Sequence, residues 1–223
     1  MKSSLPITFK SEAIPLILIL LTIIISYYWY PLLPQRIASH WNFAGEVDGW
    51  SSKNFMTFFL PSLMVGLYLL FIVLPYLDPK RERYSQFAHV YHIFKTLIIA
   101  LFFLLFFTTN LYNLGYHISI ATTTSLAVGL MMIILGNYMG KIKSNWFMGI
   151  RTPWTLSSEN VWNKTHRLGG WLFMLYGLAI IIAPYLSATW GATILFGGAL
   201  VLVGGTFLYS YILYAQEQKN KTS

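Results

Sequence analysis

One histidine and two carboxylates lie close together in a polar segment, residues 34–54: His40, Glu46 and Asp48. These side chains are able to coordinate a cation, but their irregular spacing is a weak metal signal, and we predict no metal site. Gly45 and its turn-forming neighbours favour an ordered loop. Two interpretations stay open and can coexist: an aromatic anchor at an interface, or a recognition surface for an external ligand.

The candidate ligand-recognition residues of this segment are His40, Trp41, Asn42, Gly45, Asp48 and Lys53.

A second chemistry-bearing segment spans residues 139–170. Glu159 and His166 are seven positions apart and therefore share one face of a predicted helix that begins near Ser157 or Ser158 and ends at Gly169. A glutamate and a histidine on one face are able to do acid and base work, but no nucleophile, metal set or phosphate-cradling glycine loop accompanies them. We predict no catalytic residue here.

The more common interpretation of this second segment is an amphipathic helix lying at the membrane interface. Trp146, Trp154 and Trp162 would then sit among lipid headgroups, with lysines and arginines at the phosphates. His89 and His92, three residues apart, are expected to be surface histidines, because two ligands alone do not make a metal site.

Composition defines the elements that must position these residues. The chain has 223 residues, of which 56% are hydrophobic and 10% charged, so most of it must be solvated by lipid. The absence of cysteine excludes disulfides, thiolate metal sites and cysteine nucleophiles, and we expect no cofactor. The net charge of +8 is scattered through short loops, so direct binding of nucleic acid is not predicted.

Six apolar runs are long enough to span a bilayer and predict an all-α, polytopic helical bundle. They cover residues 13–33, 55–77, 96–113, 118–138, 171–186 and 190–214. None contains Asp, Glu, Lys, Arg or His. A transport pathway usually needs such groups inside the bundle, so this absence disfavours a transporter.

The distribution of lysine and arginine predicts the orientation. With the N-terminus in the cytoplasm, thirteen of the fifteen basic residues fall on the inner side, and only Arg36 and Lys53 fall outside. Cytoplasmic loops of membrane proteins retain positive charge. Both termini and residues 139–170 are therefore predicted to be cytoplasmic, and residues 34–54 external.

The two polar segments together resemble the SdpI family of bacterial membrane immunity proteins, which protect the producing cell against a secreted killing peptide. The inner motif consists of 149–155, 157–159, Trp162, 165–167 and 169–170. The outer one, Pro34, His40, Trp41, Asn42, Gly45, Asp48, Gly49 and Lys53, resembles the small domain of unknown function that often precedes it.

The resemblance implies a multi-pass protein of the bacterial plasma membrane. Its implied partners are membrane lipid, a hydrophobic peptide toxin outside and a cytoplasmic transcriptional repressor. Two units are expected: residues 1–92, with the outer loop, and residues 93–223, with the inner segment. The expected inner residues are Asn145, Gly149, Arg151, Thr152, Pro153, Trp154, Ser157, Glu159, Trp162, His166 and Arg167.

The leading hypothesis is a non-enzymatic immunity protein and receptor. The alternative is a transporter or exporter of a peptide or small molecule. A third interpretation is a cytoplasm-facing enzyme that uses Arg151, Glu159 and His166. Sequence alone leaves the identity of the peptide and the oligomeric state open.

Overall fold

The computed structural model describes residues 5–222, and within them the chain folds into seven α-helices and one β-hairpin. The helices are α1 (Phe9–Trp29), α2 (Lys53–Leu77), α3 (Ala88–Asn113), α4 (Ile120–Met139), α5 (Pro153–Ser157), α6 (Glu159–Ile182) and α7 (Ala188–Thr222). The strands are β1 (Arg36–Trp41) and β2 (Val47–Ser52), which pair antiparallel. Short 3₁₀ turns follow α1 and α6 and precede α3.

All helices except the five-residue α5 are long and apolar enough to cross a bilayer, which makes six candidate spans in the described part of the chain. The predicted all-α bundle with six spans is confirmed. The hairpin between α1 and α2 was expected only as an ordered loop. Lys2, which contributes to the charge asymmetry, lies outside the described residues.

The connections divide between the two ends of the bundle. The hairpin end carries β1 and β2, the link between α3 and α4, and the link between α6 and α7. The signature end carries the start of α1, residues 78–87, residues 140–158 and the end of α7. The connections alternate between the two ends because successive spans run in opposite directions. The assignment of the signature end to the cytoplasm stays a prediction.

Five of the six long helices begin earlier than their apolar runs, and in α1 and α3 the added turns bring a buried ion pair into the bundle, which corrects the expectation that the spans hold no charge. Helix α1 starts at Phe9, capped by Thr8, and therefore includes Glu12. Helix α3 starts at Ala88 and includes Lys95. Apolar composition marks the lipid-facing part of a helix, but hydrogen bonding and packing continue the helix past it.

Helices α4 and α6 pack closely through pairs of glycines. A Cβ atom added to Gly136 would lie 2.6 Å from the Gly170 carbonyl oxygen, and one added to Gly177 would lie 2.6 Å from the Gly129 carbonyl oxygen. Such backbone approach is typical of small residues between membrane helices. Since Gly170 is a packing residue inside α6, the expected helix end at Gly169 is wrong, and the helix continues into the fifth span.

Candidate functional sites at the two ends of the bundle

The tip of the hairpin is organised by Asn42. Its Oδ1 accepts hydrogen bonds from the backbone N–H groups of Ala44 at 2.9 Å and Glu46 at 3.0 Å, and its Nδ2 donates to the Glu46 carboxylate at 3.1 Å. Gly45 has a φ of +81°, which favours glycine. The turn is therefore ordered by its own side chains, as the sequence predicted.

The hairpin is fastened to the end of α3. The Asn113 side chain accepts a hydrogen bond from the Ala38 N–H at 2.8 Å and donates to the Ala38 carbonyl at 3.0 Å. Trp41 packs edge-to-face on Tyr112, with ring centroids 5.2 Å apart. Lys53 is buried, with its ammonium 4.6 Å from the Tyr30 ring centroid, so it supports the hairpin from below.

The exposed surface of the hairpin carries an ionisable pair and two large apolar rings. The His40 Nδ1–H donates to Asp48 Oδ1 at 2.5 Å, and both side chains are solvent-exposed. Phe43 and Trp50 are 49% and 54% exposed. Gly49 lies against the His40 side chain, where an added Cβ would be 2.7 Å from His40 Cβ. Within residues 5–222, no group of three or more His, Asp or Glu side chains is arranged to hold a metal ion.

At the signature end, Asn145 and Asp78 fix the loop that follows α4. Asn145 Oδ1 accepts from the N–H groups of Phe147 and Met148, and its Nδ2 donates to the Met148 carbonyl at 3.0 Å. Asp78 Oδ2 accepts from the Trp146 N–H at 2.9 Å and from the Tyr84 hydroxyl at 2.9 Å. Both residues are buried, so the loop is held from two sides by fully engaged polar groups.

Gly149, Trp162 and His166 form a closed unit beneath this loop. Gly149 has a φ of +102°, and a Cβ there would collide with His166 Nε2. His166 Nδ1 donates to the Trp162 carbonyl at 2.8 Å, and Nε2 accepts from the Ile150 N–H at 2.9 Å. This pattern requires the neutral imidazole, because a proton on Nε2 would face the Ile150 N–H.

The Trp162 ring is buried in the protein and α6 continues to Ile182, which corrects the interpretation of this segment as a separate interfacial helix. The indole is 1% exposed, stacks on His166 with a centroid distance of 4.0 Å and donates to the Ile142 carbonyl at 2.8 Å. Trp154 lies instead against Phe207 and Tyr211 of α7. The amphipathic pattern was real, but its apolar face packs on the protein rather than on lipid.

Helix α5 joins α6 to α7. Thr152 caps α5 and lies 3.0 Å, oxygen to oxygen, from the Ser210 hydroxyl. Pro153 is the first residue of α5, where a missing N–H costs no hydrogen bond. Ser157 donates to the Pro153 carbonyl, and Ser158, which caps α6, donates to Glu217 at 2.8 Å.

The three residues of the enzyme hypothesis do not converge on one reacting centre. His166 is buried with both ring nitrogens engaged. Arg151 donates to the Trp146 carbonyl at 2.7 Å, and exposed Glu159 pairs with Arg83. Arg167 is exposed on α6. These contacts hold the segment together and engage each of the three side chains separately.

A buried ionic cluster joins α1, α2 and α3 near the signature end. The Lys95 ammonium lies 2.6 and 2.5 Å from the two Glu12 carboxylate oxygens, and the Tyr68 hydroxyl donates to Glu12 at 2.8 Å. His92 Nδ1 is 3.6 Å from Glu12, and its Nε2 donates to the Pro6 carbonyl at 3.0 Å. The expectation that His92 is a surface residue is therefore wrong.

Apolar composition alone does not identify this pair, because Glu12 and Lys95 each lie immediately before an apolar run, at residues 13–33 and 96–113. Asp78 and Asn113 were missed as organising residues as well. Asp78 stands before a proline at the end of an apolar run, a position typical of a turn-forming aspartate, which is the one signal that would have identified it. Asn113 has no comparable signal, because its partner Ala38 is 75 positions away.

Comparison with known proteins covers both ends. Residues 141–210 match the SdpI/YfhL protein family, and residues 17–65 match a domain of unknown function, DUF1648. The chain is 27% identical over 205 residues to the immunity protein SdpI of Bacillus subtilis strain 168, an alignment that covers 92% of this chain and 96% of that protein. No solved structure matches the chain. The chain therefore carries an SdpI/YfhL family region at the signature end and a DUF1648 region that includes the hairpin, in a protein with six candidate membrane spans.

Proposed function

We propose that this chain is a membrane immunity protein that protects its bacterium against a secreted, hydrophobic peptide toxin. The observation that carries the proposal is the alignment with an immunity protein along 92% of the chain. The arrangement is proposed to be non-enzymatic, because the polar residues of both ends serve hydrogen-bond networks and ion pairs. The hairpin end is taken to face the medium, following the distribution of basic residues.

The toxin-binding surface is proposed to be the exposed side of the hairpin. Phe43 and Trp50 offer apolar area there, and the His40–Asp48 pair offers an exposed polar contact beside them. Aromatic side chains on a rigid support lose little conformational entropy on binding. The attachment through Asn113 supplies that rigidity.

Relay to a cytoplasmic transcriptional repressor is a finer part of the proposal. It requires two states of the signature end whose populations depend on the toxin. Such states would differ in the contacts that hold the start of α6. These include the hydrogen bond of Ser158 to Glu217 and the ion pair of Arg83 with Glu159.

The test of immunity uses a deletion strain and spent medium from its parent. The deletion strain is expected to die and to recover when the gene is restored. Joint replacement of Phe43 and Trp50 by Ser is expected to abolish protection at normal membrane abundance. Arg36→Gln, an exposed change on the same hairpin, serves as the matched control. A deletion strain as resistant as its parent would reject immunity.

Transport of a peptide or small molecule is a second candidate function, favoured by the buried charges of α1 and α3. Ionisable groups inside membrane helices often mark ion or substrate pathways. Here, however, Glu12 and Lys95 neutralise one another and are fully hydrogen-bonded, which is typical of a structural pair. Gradient-dependent uptake of labelled peptide into proteoliposomes, lost in Glu12→Gln, would favour transport instead.

A further inference from the structure

We propose that a cleft at the signature end binds a phosphate-bearing anion. The cleft, here called the anion cleft, has a volume of about 250 Å³ and lies between the 3₁₀ turn that precedes α3, the loop after α4 and the first turns of α6. Its lining residues are Arg83, Gln86, Lys143, Ser144, Glu159, Trp162 and Asn163. Immunity does not enter the argument, so the two proposals stand or fall separately.

Two cations from different elements face this cleft. Arg83 comes from the turn before α3, and Lys143 comes from the loop after α4. Lys143 has no ion-pair partner among the described residues, whereas Arg83 pairs with Glu159 at the rim. A guanidinium fork matches phosphate oxygens bidentately, and an ammonium adds a second point charge.

Neutral donors complete the lining. The side-chain amides of Gln86 and Asn163 make no hydrogen bond within residues 5–222, so both can donate to a ligand. The Ser144 oxygen accepts from the Lys80 ammonium at 2.8 Å, which leaves its own hydroxyl hydrogen available. A lining of two cations and three neutral donors, opposed by one carboxylate, suits an anion with several acceptor oxygens.

The walls of the anion cleft are already fixed. The loop that bears Lys143 is held by the hydrogen bonds of Asn145 and by the bond from the Trp146 N–H to Asp78. The floor is the buried Trp162 ring, which is held by Ile142. A preformed site loses little free energy to ordering when a ligand binds.

The positive end of α6 lies at the same place, since Glu159 is its first residue. Helix N-termini favour anions through their partial positive charge. The Glu159 carboxylate now occupies this favourable position and shields Arg83. An incoming phosphate would take over Arg83 and displace Glu159, so Glu159 acts as an internal competitor. A phosphate dianion balances both cations, which a single carboxylate does not.

The shared ligand chemistry is a phosphate group, whether from an anionic lipid headgroup or from a soluble phosphate. Purified protein in neutral detergent is titrated with inorganic phosphate and pyrophosphate at constant ionic strength, with binding followed by calorimetry. The same protein is placed in nanodiscs of phosphatidylcholine with or without phosphatidylglycerol, and retained lipid is identified by native mass spectrometry. Selective retention of phosphatidylglycerol indicates that the ligand is a lipid headgroup. Binding of free phosphate that phosphatidylglycerol does not compete away indicates that the ligand is a soluble phosphate.

Four single variants test whether the residues of the anion cleft bind the phosphate. Lys143→Gln and Arg83→Gln are expected to weaken phosphate binding about ten-fold or more, because each removes a charge-assisted hydrogen bond. Lys141→Gln removes the same charge two positions away, outside the cleft lining, and is expected to change binding by about two-fold at most. Glu159→Gln is expected to tighten binding, an outcome that a folding defect would not produce.

Three results would overturn the proposal. One is the absence of saturable phosphate binding together with no retention of phosphatidylglycerol. Another is an equal loss of affinity in Lys141→Gln and Lys143→Gln, which would indicate general charge attraction. The last is unchanged or weaker binding in Glu159→Gln with its melting temperature preserved.

Discussion

The buried pair of Glu12 and Lys95 supports a quantitative prediction about stability. Glu12 is 6% exposed and Lys95 is fully buried, and both carboxylate oxygens contact the ammonium. Removing one partner leaves a buried charge without compensation, which costs about 3–5 kcal/mol in soluble proteins. Lys95→Met keeps the length and packing of the side chain while removing its charge, so it isolates the cost of leaving the Glu12 carboxylate without its partner.

The contacts that remain in each single variant determine how much stability it is expected to lose. After Lys95→Met, the Glu12 carboxylate retains only the hydrogen bonds from Tyr68 and Ser11. After Glu12→Gln, Lys95 keeps the Tyr68 ring, whose centroid is 5.4 Å from the ammonium. Each variant is therefore expected to lower the free energy of unfolding by about 3 kcal/mol or more.

The double variant Glu12→Leu with Lys95→Met is expected to recover most of this stability. Replacing a buried ion pair by apolar residues of similar volume is often neutral or stabilising. Unfolding in detergent, followed by tryptophan fluorescence against heat, measures the difference, at about 2–4 °C per kcal/mol for a chain of this length. Single variants as stable as the wild type, or a double variant worse than both, would refute the reasoning.

Three further predictions concern packing and attachment. Gly149→Ala is expected to lower the free energy of unfolding by about 2 kcal/mol or more and to lower membrane abundance, because it places a Cβ at a positive φ against the His166 imidazole. Gly140→Ala, with open space around it, is expected to change neither. Gly177→Ala is expected to push α4 from α6 and lower the melting temperature, with Gly204→Ala as the unaffected comparison. Asn113→Ala, which orphans two backbone groups of the hairpin, is expected to cost about 1–3 kcal/mol and to speed proteolysis of the hairpin from its own side of the membrane.

Parts of the candidate sites could be predicted from local sequence. The turn at Asn42 and Gly45 is built from chemistry within five residues, and so is the cap of α6 at Ser158. Local motifs of this kind need no distant partner, which is why sequence alone located them. Burial is different, because Trp162 reads as an interfacial aromatic until the element packed against it is known.

The sequence by itself determined the number of spans, their alternating direction and the two polar segments that must lie at opposite ends, since an apolar run of about twenty residues has few alternatives to a membrane helix. Only the tertiary structure decided that Glu12 and Lys95 meet 83 positions apart and that Gly136 and Gly170 are contact points. The physical reason is that hydrophobicity is a property of each segment, whereas pairing of charges and backbone approach depend on which helices become neighbours.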